Sequence, residues 1–273
     1  MKRFFLGGLL ALLMVLLVMC SKRTEEEPFD EELDAFLKEW DLAFYYQNTC
    51  RKVNDAVKVS VTFGEPFKIT EVDISDKAIA KMSTCGLLET MLISRLVSVL
   101  GPWMGGSQLY VPGITIFNST LQSHPVALEF FSRSDCFPVM ASRFLIFIKE
   151  GPTYPPTQLP NFAMIAASDI SMELLSRNEK VQLMAIAVKT LEKWISVLWV
   201  SGRNELGQLM IAIMQSCHYA PFMEDVGARL FETTYGYSFY LQDGIYYEGL
   251  ESPPHLDIIL EYAMQFLNEN PSI

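Results

Sequence analysis

The chain has 273 residues, half of them hydrophobic, with 32 acidic against 21 basic residues and a formal net charge of −11. A chain of this length and apolarity can bury a large core. Nucleic-acid binding is excluded as a role because it requires a basic surface, and a chain this acidic repels phosphate backbones.

The N-terminus has the pattern of an export signal. Two basic residues precede an apolar run from Phe4 to Met19, and polar residues follow directly after Cys20. A basic start followed by a short apolar core is typical of secretory signal peptides. The run is shorter than the about 20 residues that a helix needs to cross a bilayer. Residues 1–19 are therefore predicted to be a signal peptide rather than a permanent anchor.

The end of this run, Leu17-Val18-Met19-Cys20, resembles the lipobox of bacterial lipoproteins. Leucine stands three places before the cysteine, as in that family, while Met19 replaces the usual glycine, alanine or serine. The resemblance implies a diacylglycerol thioether on Cys20, which would hold the protein in the cell envelope, on the periplasmic face or the cell surface, with residues 20–29 as a lipidated tether. The alternative is an ordinary signal peptide in which Cys20 is incidental.

Apolar residues recur at helical spacing in two stretches of the first hundred residues. The first stretch predicts a helix from about Glu31 to Val57 with Asp30 as its N-cap. The second stretch predicts a helical region that opens at Ser75 and ends at Gly101.

Two non-helical segments flank the second stretch. Residues 59–63 alternate valine with polar residues, which predicts a short edge strand or an extended connector. Residues 101–113 are rich in glycine and proline and predict an irregular loop that exposes Trp103. The glycines of this loop lack the frame of a phosphate-binding motif.

Two segments further along the chain repeat one another at an offset of 44 residues. Glu129–Asp135 (EFFSRSD) is echoed by Glu173–Glu179 (ELLSRNE), and Met140-Ala141 is echoed by Met184-Ala185. A period of about 40 to 47 residues is that of two-helix solenoid repeats of the HEAT or armadillo type. The alternative is that two unrelated helix starts use the same caps.

A serine in each copy is predicted to cap a long helix. Ser176 with Glu179 fits a capping box, in which each side chain satisfies a backbone donor of the first turn. Ser132 with Asp135 is a version with a shorter acidic side chain.

The C-terminal half is predicted to be helical apart from two segments. Proline-rich residues 151–160 predict an extended surface connection. Alternating aromatic and aliphatic residues on either side of Asp243-Gly244 predict a β-hairpin over residues 235–247. The predicted helices cover residues 179–199, 205–217 and 254–268.

These patterns predict a mainly α-helical fold built from packed helix pairs, with the two copies as a HEAT-like repeat and one small β-hairpin at residues 235–247. Residues 30–273 are expected to form a single helical domain, and a sub-boundary at 151–161 is the alternative.

The middle of the chain also resembles a group of secreted bacterial helical proteins of uncharacterised function. The residues that carry the resemblance are Met82-Ser83-Thr84, Leu87-Leu88-Glu89-Thr90 and Leu128–Asp135. The resemblance covers residues 74–150; it implies helical packing and supplies no catalytic residue.

Four cysteines follow Cys20, namely Cys50, Cys85, Cys136 and Cys217. None belongs to a C-x-x-C pair, so these cysteines do not predict a metal site. Three lie within helical patterns, where a free cysteine behaves as a small apolar residue. Buried free thiols are expected, with a single disulfide as the alternative.

The sequence predicts no catalytic residue, no metal and no cofactor. The three histidines, His124, His218 and His255, lack the spacing of a zinc helix. Cys217 and His218 are neighbours in a helical pattern and would point about 100° apart, which does not suit a nucleophile and its base. A serine hydrolase of the α/β type would need G-x-S-x-G, which is absent.

Carboxylates and aromatics near the C-terminus are the remaining candidates. Glu224-Asp225 and Glu248/Glu251 could serve as acid and base in glycan hydrolysis, although a solvated acidic surface is the simpler interpretation. Aromatic side chains that could contact a ligand, or alternatively cover the core, are Tyr235, Tyr237, Tyr247 and Trp103.

The sequence therefore predicts a non-enzymatic, lipid-anchored envelope protein that binds another protein or a glycan and does not bind nucleic acid. One alternative is an envelope hydrolase that acts on glycans through paired carboxylates. A second alternative is a structural subunit of an envelope assembly.

Overall fold

The structure is a computed structural model, and the residues that it describes are 31–47, 55–63, 69–94, 118–151, 158–196, 198, 200–225 and 256–271. The predicted loop at 101–113 and the predicted hairpin at 235–247 lie outside these residues. The chain divides into two compact units, residues 1–36 and 37–273. Of the first unit, the described residues 31–36 are helical, with Leu33 and Phe36 buried.

The described residues form a mainly α-helical fold with one small β-hairpin, which is the predicted fold class. In chain order the elements are α1 (Glu31–Glu39), α2 (Ala43–Gln47), β1 (Val61–Phe63), β2 (Ile69–Val72), α3 (Asp76–Ile79), α4 (Thr84–Ile93), α5 (Pro125–Ser132), α6 (Cys136–Glu150), α7 (Gln158–Ala167), α8 (Asp169–Leu174), α9 (Arg177–Trp194), α10 (Val200–Ser216), α11 (Ala220–Glu224) and α12 (Leu256–Glu269). Within the described ranges, no helix combines the length and apolarity needed to cross a membrane.

The described hairpin pairs β1 with β2 in antiparallel register, Val61 opposite Val72. It confirms the strand interpretation of residues 59–63. Asp73 fixes its base, since the Asp73 carboxylate accepts a hydrogen bond from Ser60 N at 2.7 Å. Its position differs from that of the hairpin predicted at 235–247.

The first predicted helix was too long. Helix α1 ends at Glu39, and α2 begins at Ala43. The backbone between them turns at Asp41, whose φ of 54° lies in the left-handed region that short polar side chains tolerate. The predicted helix extended to Val57, whereas residues 56–60 form neither a helix nor a strand. Val57 N donates to Thr90 Oγ1 at 2.9 Å, which fastens this segment along α4.

Serines start the next two helices. Ser75 caps α3 as predicted, through a 3.3 Å hydrogen bond from Ala78 N. Ser83 caps α4 and is itself held by Asp55, whose carboxylate accepts from both Ser83 N and Ser83 Oγ. The predicted continuous helical region is therefore broken between Ile79 and Thr84.

The two copies of the 44-residue echo adopt the same local structure, a short helix followed by a long one. In the first copy α5 precedes α6, and in the second copy α8 precedes α9. The long helices contact each other and end side by side, where Trp194 Nε1 donates to Ile148 O at 3.3 Å. They therefore run parallel, as the second helices of consecutive solenoid repeats do.

The serine caps of the two copies differ. Ser176 and Glu179 form the predicted capping box at the start of α9. The predicted version at Ser132 is wrong, because Ser132 is the last residue of α5 and donates to Glu129 O. Asp135 precedes α6 but accepts a hydrogen bond from Thr84 Oγ1 at 2.7 Å, so a contact with α4 replaces the local cap.

Helix α7 includes a proline that the sequence assigned to an extended connection. Pro160 is the third residue of α7 and is buried. Proline is tolerated there because the amides of the first helical turn have no partner within the helix. Pro160 is thereby available to pack against α10, with which α7 makes the most extensive interhelical contact among the described elements.

Helix α10 stacks on the second copy in parallel with α7. A side-chain carbon added at Gly202 would lie 4.0 Å from Pro160 Cγ, near the start of both helices. Towards the other end, Ser216 Oγ contacts Met172 Sδ at 3.6 Å. The sequence placed the start of this helix at Glu205, whereas it begins at Val200. Glu205 consequently lies in the helix interior instead of at an exposed first turn.

Helix α12 closes the described part of the fold and runs against the direction of α9. The guanidinium of Arg177, at the start of α9, donates to Asn270 Oδ1 just after the end of α12. A third repeat would place the two long helices in parallel. This reversal explains why the sequence shows no third copy of the echo.

We expect Ser176→Ala to lower the free energy of unfolding by about 1 kcal/mol, because it removes a capping side chain. Chemical denaturation monitored by circular dichroism measures the change. Ser132→Ala is the matched control, since both serines are exposed, occupy equivalent positions in the echo and differ in capping. Equal losses in the two variants would contradict the assignment of the cap.

Candidate functional site

The residues that the sequence predicts to contact a ligand or to carry the lipid lie outside the described residues. They are Cys20, Trp103, Tyr235, Tyr237 and Tyr247. Their roles stay predictions. The last described residue before the three tyrosines is Asp225, and the first described residue after them is Leu256.

A group of aromatic and acidic side chains lies where Tyr219 and α11 meet α12. It is called the C-terminal cluster here and consists of Tyr219, Phe222, Asp225, Tyr262 and Phe266. Tyr262 OH donates a short hydrogen bond to Asp225 Oδ2, which ties the end of α11 to α12. The ring of Tyr219 meets that of Phe266 edge-on at 5.2 Å, and Phe222 meets Tyr262 at 6.1 Å.

The break between α10 and α11 positions this cluster. His218 has a φ of 51°, so the chain turns sharply after α10 and Tyr219 points back to the core. Pro221 lies in the first turn of α11, where a missing amide donor is harmless. Cys217 is a half-buried free thiol beside the exposed His218. Cys217 and His218 therefore lie in the turn that follows the end of α10.

The two phenols of the cluster are held in their protonated form. Burial, followed by the neighbouring Glu269 carboxylate, raises the pKa of Tyr219 to about 12. The hydrogen bond to Asp225 is the main cause that raises the pKa of Tyr262. A phenol with a raised pKa is a poor acid or base near neutral pH. The chemistry of the cluster suits hydrogen bonding and aromatic packing.

The paired carboxylates named in the sequence are only partly placed. Asp225 accepts from Tyr262, and Glu224 is the last residue of α11. Glu248 and Glu251 lie outside the described residues.

The cysteines do not all remain free. Cys85 is disulfide-bonded, while Cys136 and Cys217 are free thiols. By elimination the partner of Cys85 is Cys20 or Cys50, both outside the described residues. The expectation of free thiols throughout was therefore wrong for Cys85, and the alternative of one bridge holds. Burial raises the pKa of the Cys136 thiol, so this cysteine is unreactive and acts as core.

His124 is a buried histidine with a structural use that the sequence did not reveal. It is the N-cap of α5, and its Nδ1 accepts from Val126 N at 3.2 Å and from Ala127 N at 3.4 Å. An accepting Nδ1 requires the neutral ring with its proton on Nε2, and Nε2 is buried without a hydrogen-bond partner. Burial lowers the pKa of His124 to about 4.

A charged pair also crosses the core between α4 and α6. Arg143 Nε lies 2.6 Å from Glu89 Oε1, and an Arg143 terminal nitrogen donates to Gln158 Oε1 at 3.0 Å. The guanidinium also stacks over Phe147, with its central carbon 5.0 Å from the ring centroid. These contacts join α4, α6 and α7, which is a structural role, and the ion pair with Glu89 compensates an Nε that makes no hydrogen bond.

The described parts of the chain contain no group of three or more histidine, cysteine, aspartate or glutamate side chains arranged to hold a metal ion. Comparison of the chain with protein families, with characterised proteins and with solved structures finds no match. The functional conclusion consequently depends on the residues of this chain alone.

We expect His124 to make stability fall in acid. The folded state keeps the ring neutral down to about pH 4, whereas the unfolded chain protonates it near pH 6.5. This stability is present in full above pH 6.5 and is lost as the pH falls towards 4, by about 1.4 kcal/mol per pH unit.

His124→Asn tests this expectation because asparagine can cap a helix and does not titrate. The difference in unfolding free energy between the parent and this variant should change with pH between 4 and 6.5. Ser132→Ala, at a residue of the same helix that does not titrate, should give a difference that is constant with pH. A pH-independent difference for His124→Asn as well would show that His124 is not held neutral.

Proposed function

We propose that this protein is a lipid-anchored protein of the bacterial cell envelope, attached through Cys20, whose helical body binds another protein or a glycan without catalysing a reaction. The observation that carries the proposal is the order of residues at the N-terminus, with a basic start, an apolar run, Leu17 and then Cys20 followed by polar residues. A basic start and a short apolar core are the features of a secretory signal peptide. Leu17 and Cys20 are the residues that resemble a lipobox, in which Met19 is the departure.

The disulfide of Cys85 supports the proposed location in the cell envelope. Disulfides persist in the periplasm and at cell surfaces and are rare in the cytosol. If Cys20 carries a thioether it has no thiol to pair, so the lipid anchor and the disulfide together leave Cys50 as the partner of Cys85. Peptide mapping under non-reducing conditions would find that pair in the mature protein.

The tyrosines that follow the C-terminal cluster in the sequence support binding as the activity. The phenols of the cluster itself are occupied by the fold, because Tyr262 OH donates to Asp225 Oδ2 and Tyr219 is buried. Tyr235, Tyr237 and Tyr247 lie in the sequence between Asp225 and Leu256. Tyrosine rings combine an apolar face with a polar edge, which suits sugar rings and protein interfaces.

The lipid anchor is tested with Cys20→Ser in cells labelled with a palmitate analogue. We expect the parent protein to be labelled and to fractionate with membranes, and the variant to lose both properties. Cys217→Ser is the matched control, because it removes a half-buried free thiol and should keep the label. Membrane fractionation of Cys20→Ser equal to that of the parent, with no label on either, would refute the anchor.

A further inference from the structure

Glu205 is a buried acid in the middle of a helix interface. Its side chain lies in α10, only 7% of its surface is exposed, and its Oε2 has no hydrogen-bond partner. An ionised carboxylate in such a place carries a large desolvation penalty unless a cation or several donors compensate it. Glu205 has no such compensation among the described residues.

The helices around Glu205 supply no opposite charge to it. Helix α7 has no ionisable side chain. The other elements packed against α10 are α8, α9, α11 and α12. Their ionisable side chains are Asp169, Glu173, Arg177, Glu179, Lys180, Lys189, Glu192, Lys193, Glu224, Asp257, Glu261, Tyr262 and Glu269. None of them perturbs Glu205: burial raises its pKa to about 8, opposed only by a hydrogen bond from its own backbone.

A second unpaired acceptor lies on the helix that faces α10. Asn161 of α7 is 2% exposed, and its Oδ1 has no hydrogen-bond partner. Gly202 lies beside Pro160, since a carbon built on Gly202 would be 4.0 Å from Pro160 Cγ, and this proximity aligns the two parallel helices. Asn161 follows Pro160 by one residue and Glu205 follows Gly202 by three. At about 100° per residue, these offsets turn both side chains to the same side of the helix pair.

We propose that Glu205 is a proton-controlled clasp between α7 and α10: its protonated carboxyl donates to Asn161 Oδ1 and keeps the helices packed, and loss of that proton to solvent loosens their packing. One proton then satisfies two atoms that otherwise have no partner. The clasp does not depend on the lipid anchor or on a ligand.

The coupling between protonation of Glu205 and separation of α7 from α10 has a defined sign and a defined pH range. When α7 and α10 separate, Glu205 returns to water, where its pKa is 4.5, while in the packed state it stays protonated up to about pH 8. Separation therefore releases a proton between these values and becomes about tenfold more favourable for each unit that the pH rises.

Hydrogen–deuterium exchange of the purified protein tests the clasp, with exchange times corrected for the intrinsic effect of pH. The test variant is Glu205→Gln, whose amide mimics the protonated acid, and the control is Glu192→Gln at an exposed site in α9. Protection of α7 and α10 in the parent should fall relative to Glu205→Gln by about tenfold per pH unit between pH 5 and 8. A ratio that does not change with pH overturns the proposal.

Infrared spectroscopy of the parent keeps the test valid if Glu205→Gln does not fold. The parent should show a protonated carboxyl band that persists above pH 6.5 and disappears as the pH passes about 8. Absence of such a band near neutral pH overturns the clasp. In Asn161→Leu the band should move to the higher frequency of a carboxyl without an acceptor, and an unmoved band would overturn the assignment of Asn161.

Discussion

The close parallel packing of α7 against α10 is the contact on which the described C-terminal half depends. Small or compact residues lie where the helices meet, since Gly202 has no side chain and a carbon added to it would lie 4.0 Å from Cγ of Pro160 in the first turn of α7. Once α10 is fixed there, its end places Tyr219 against α12 and Asp225 beside Tyr262. The same packing also removes Glu205 and Asn161 from water.

Two buried titratable groups give this fold opposite responses to pH. His124 stays neutral when folded and takes up a proton on unfolding below pH 6.5, whereas Glu205 stays protonated when folded and releases a proton on unfolding above pH 4.5. Between pH 4.5 and 6.5 the uptake and the release cancel, so these two groups leave stability nearly independent of pH. Above pH 6.5 the release from Glu205 alone lowers stability up to about pH 8, whereas below pH 4.5 the uptake by His124 continues only to about pH 4.

The sequence predicted those features that depend on local patterns. Helical periodicity identified the mainly α-helical fold, and the 44-residue echo identified two copies of a short and a long helix. The Ser176–Glu179 capping box is a local arrangement and was also found. Ser132 failed as a cap because Asp135 is held by Thr84, a residue 51 positions away, and such a contact leaves no mark on local spacing.

The roles of Glu205 and His124 were harder to predict from the sequence, because their protonation states depend on burial. Glu205 looks like an acidic residue at a helix start, and only the five preceding residues of α10 place it in the interior. His124 looks like an isolated histidine before a proline. The disulfide of Cys85 could not be predicted either, since helical periodicity suits a buried free thiol equally well. The sequence does contain one signal of a charged group in the interior, which is an arginine within the apolar run of α6. This residue, Arg143, is paired with Glu89.

The most direct test of the packing of α7 against α10 is the unfolding free energy of a Gly202→Ala and Gly202→Leu series. A carbon at this position would meet Leu198 Cδ2 at 3.3 Å and Pro160 Cγ at 4.0 Å, so the three further carbons of leucine must displace one of these side chains. We expect Gly202→Leu to be less stable than the parent by about 1 to 3 kcal/mol through overpacking. If α10 did not lie against α7, replacing a helical glycine would raise stability by up to about 1 kcal/mol. A rise in stability along the series would contradict the account.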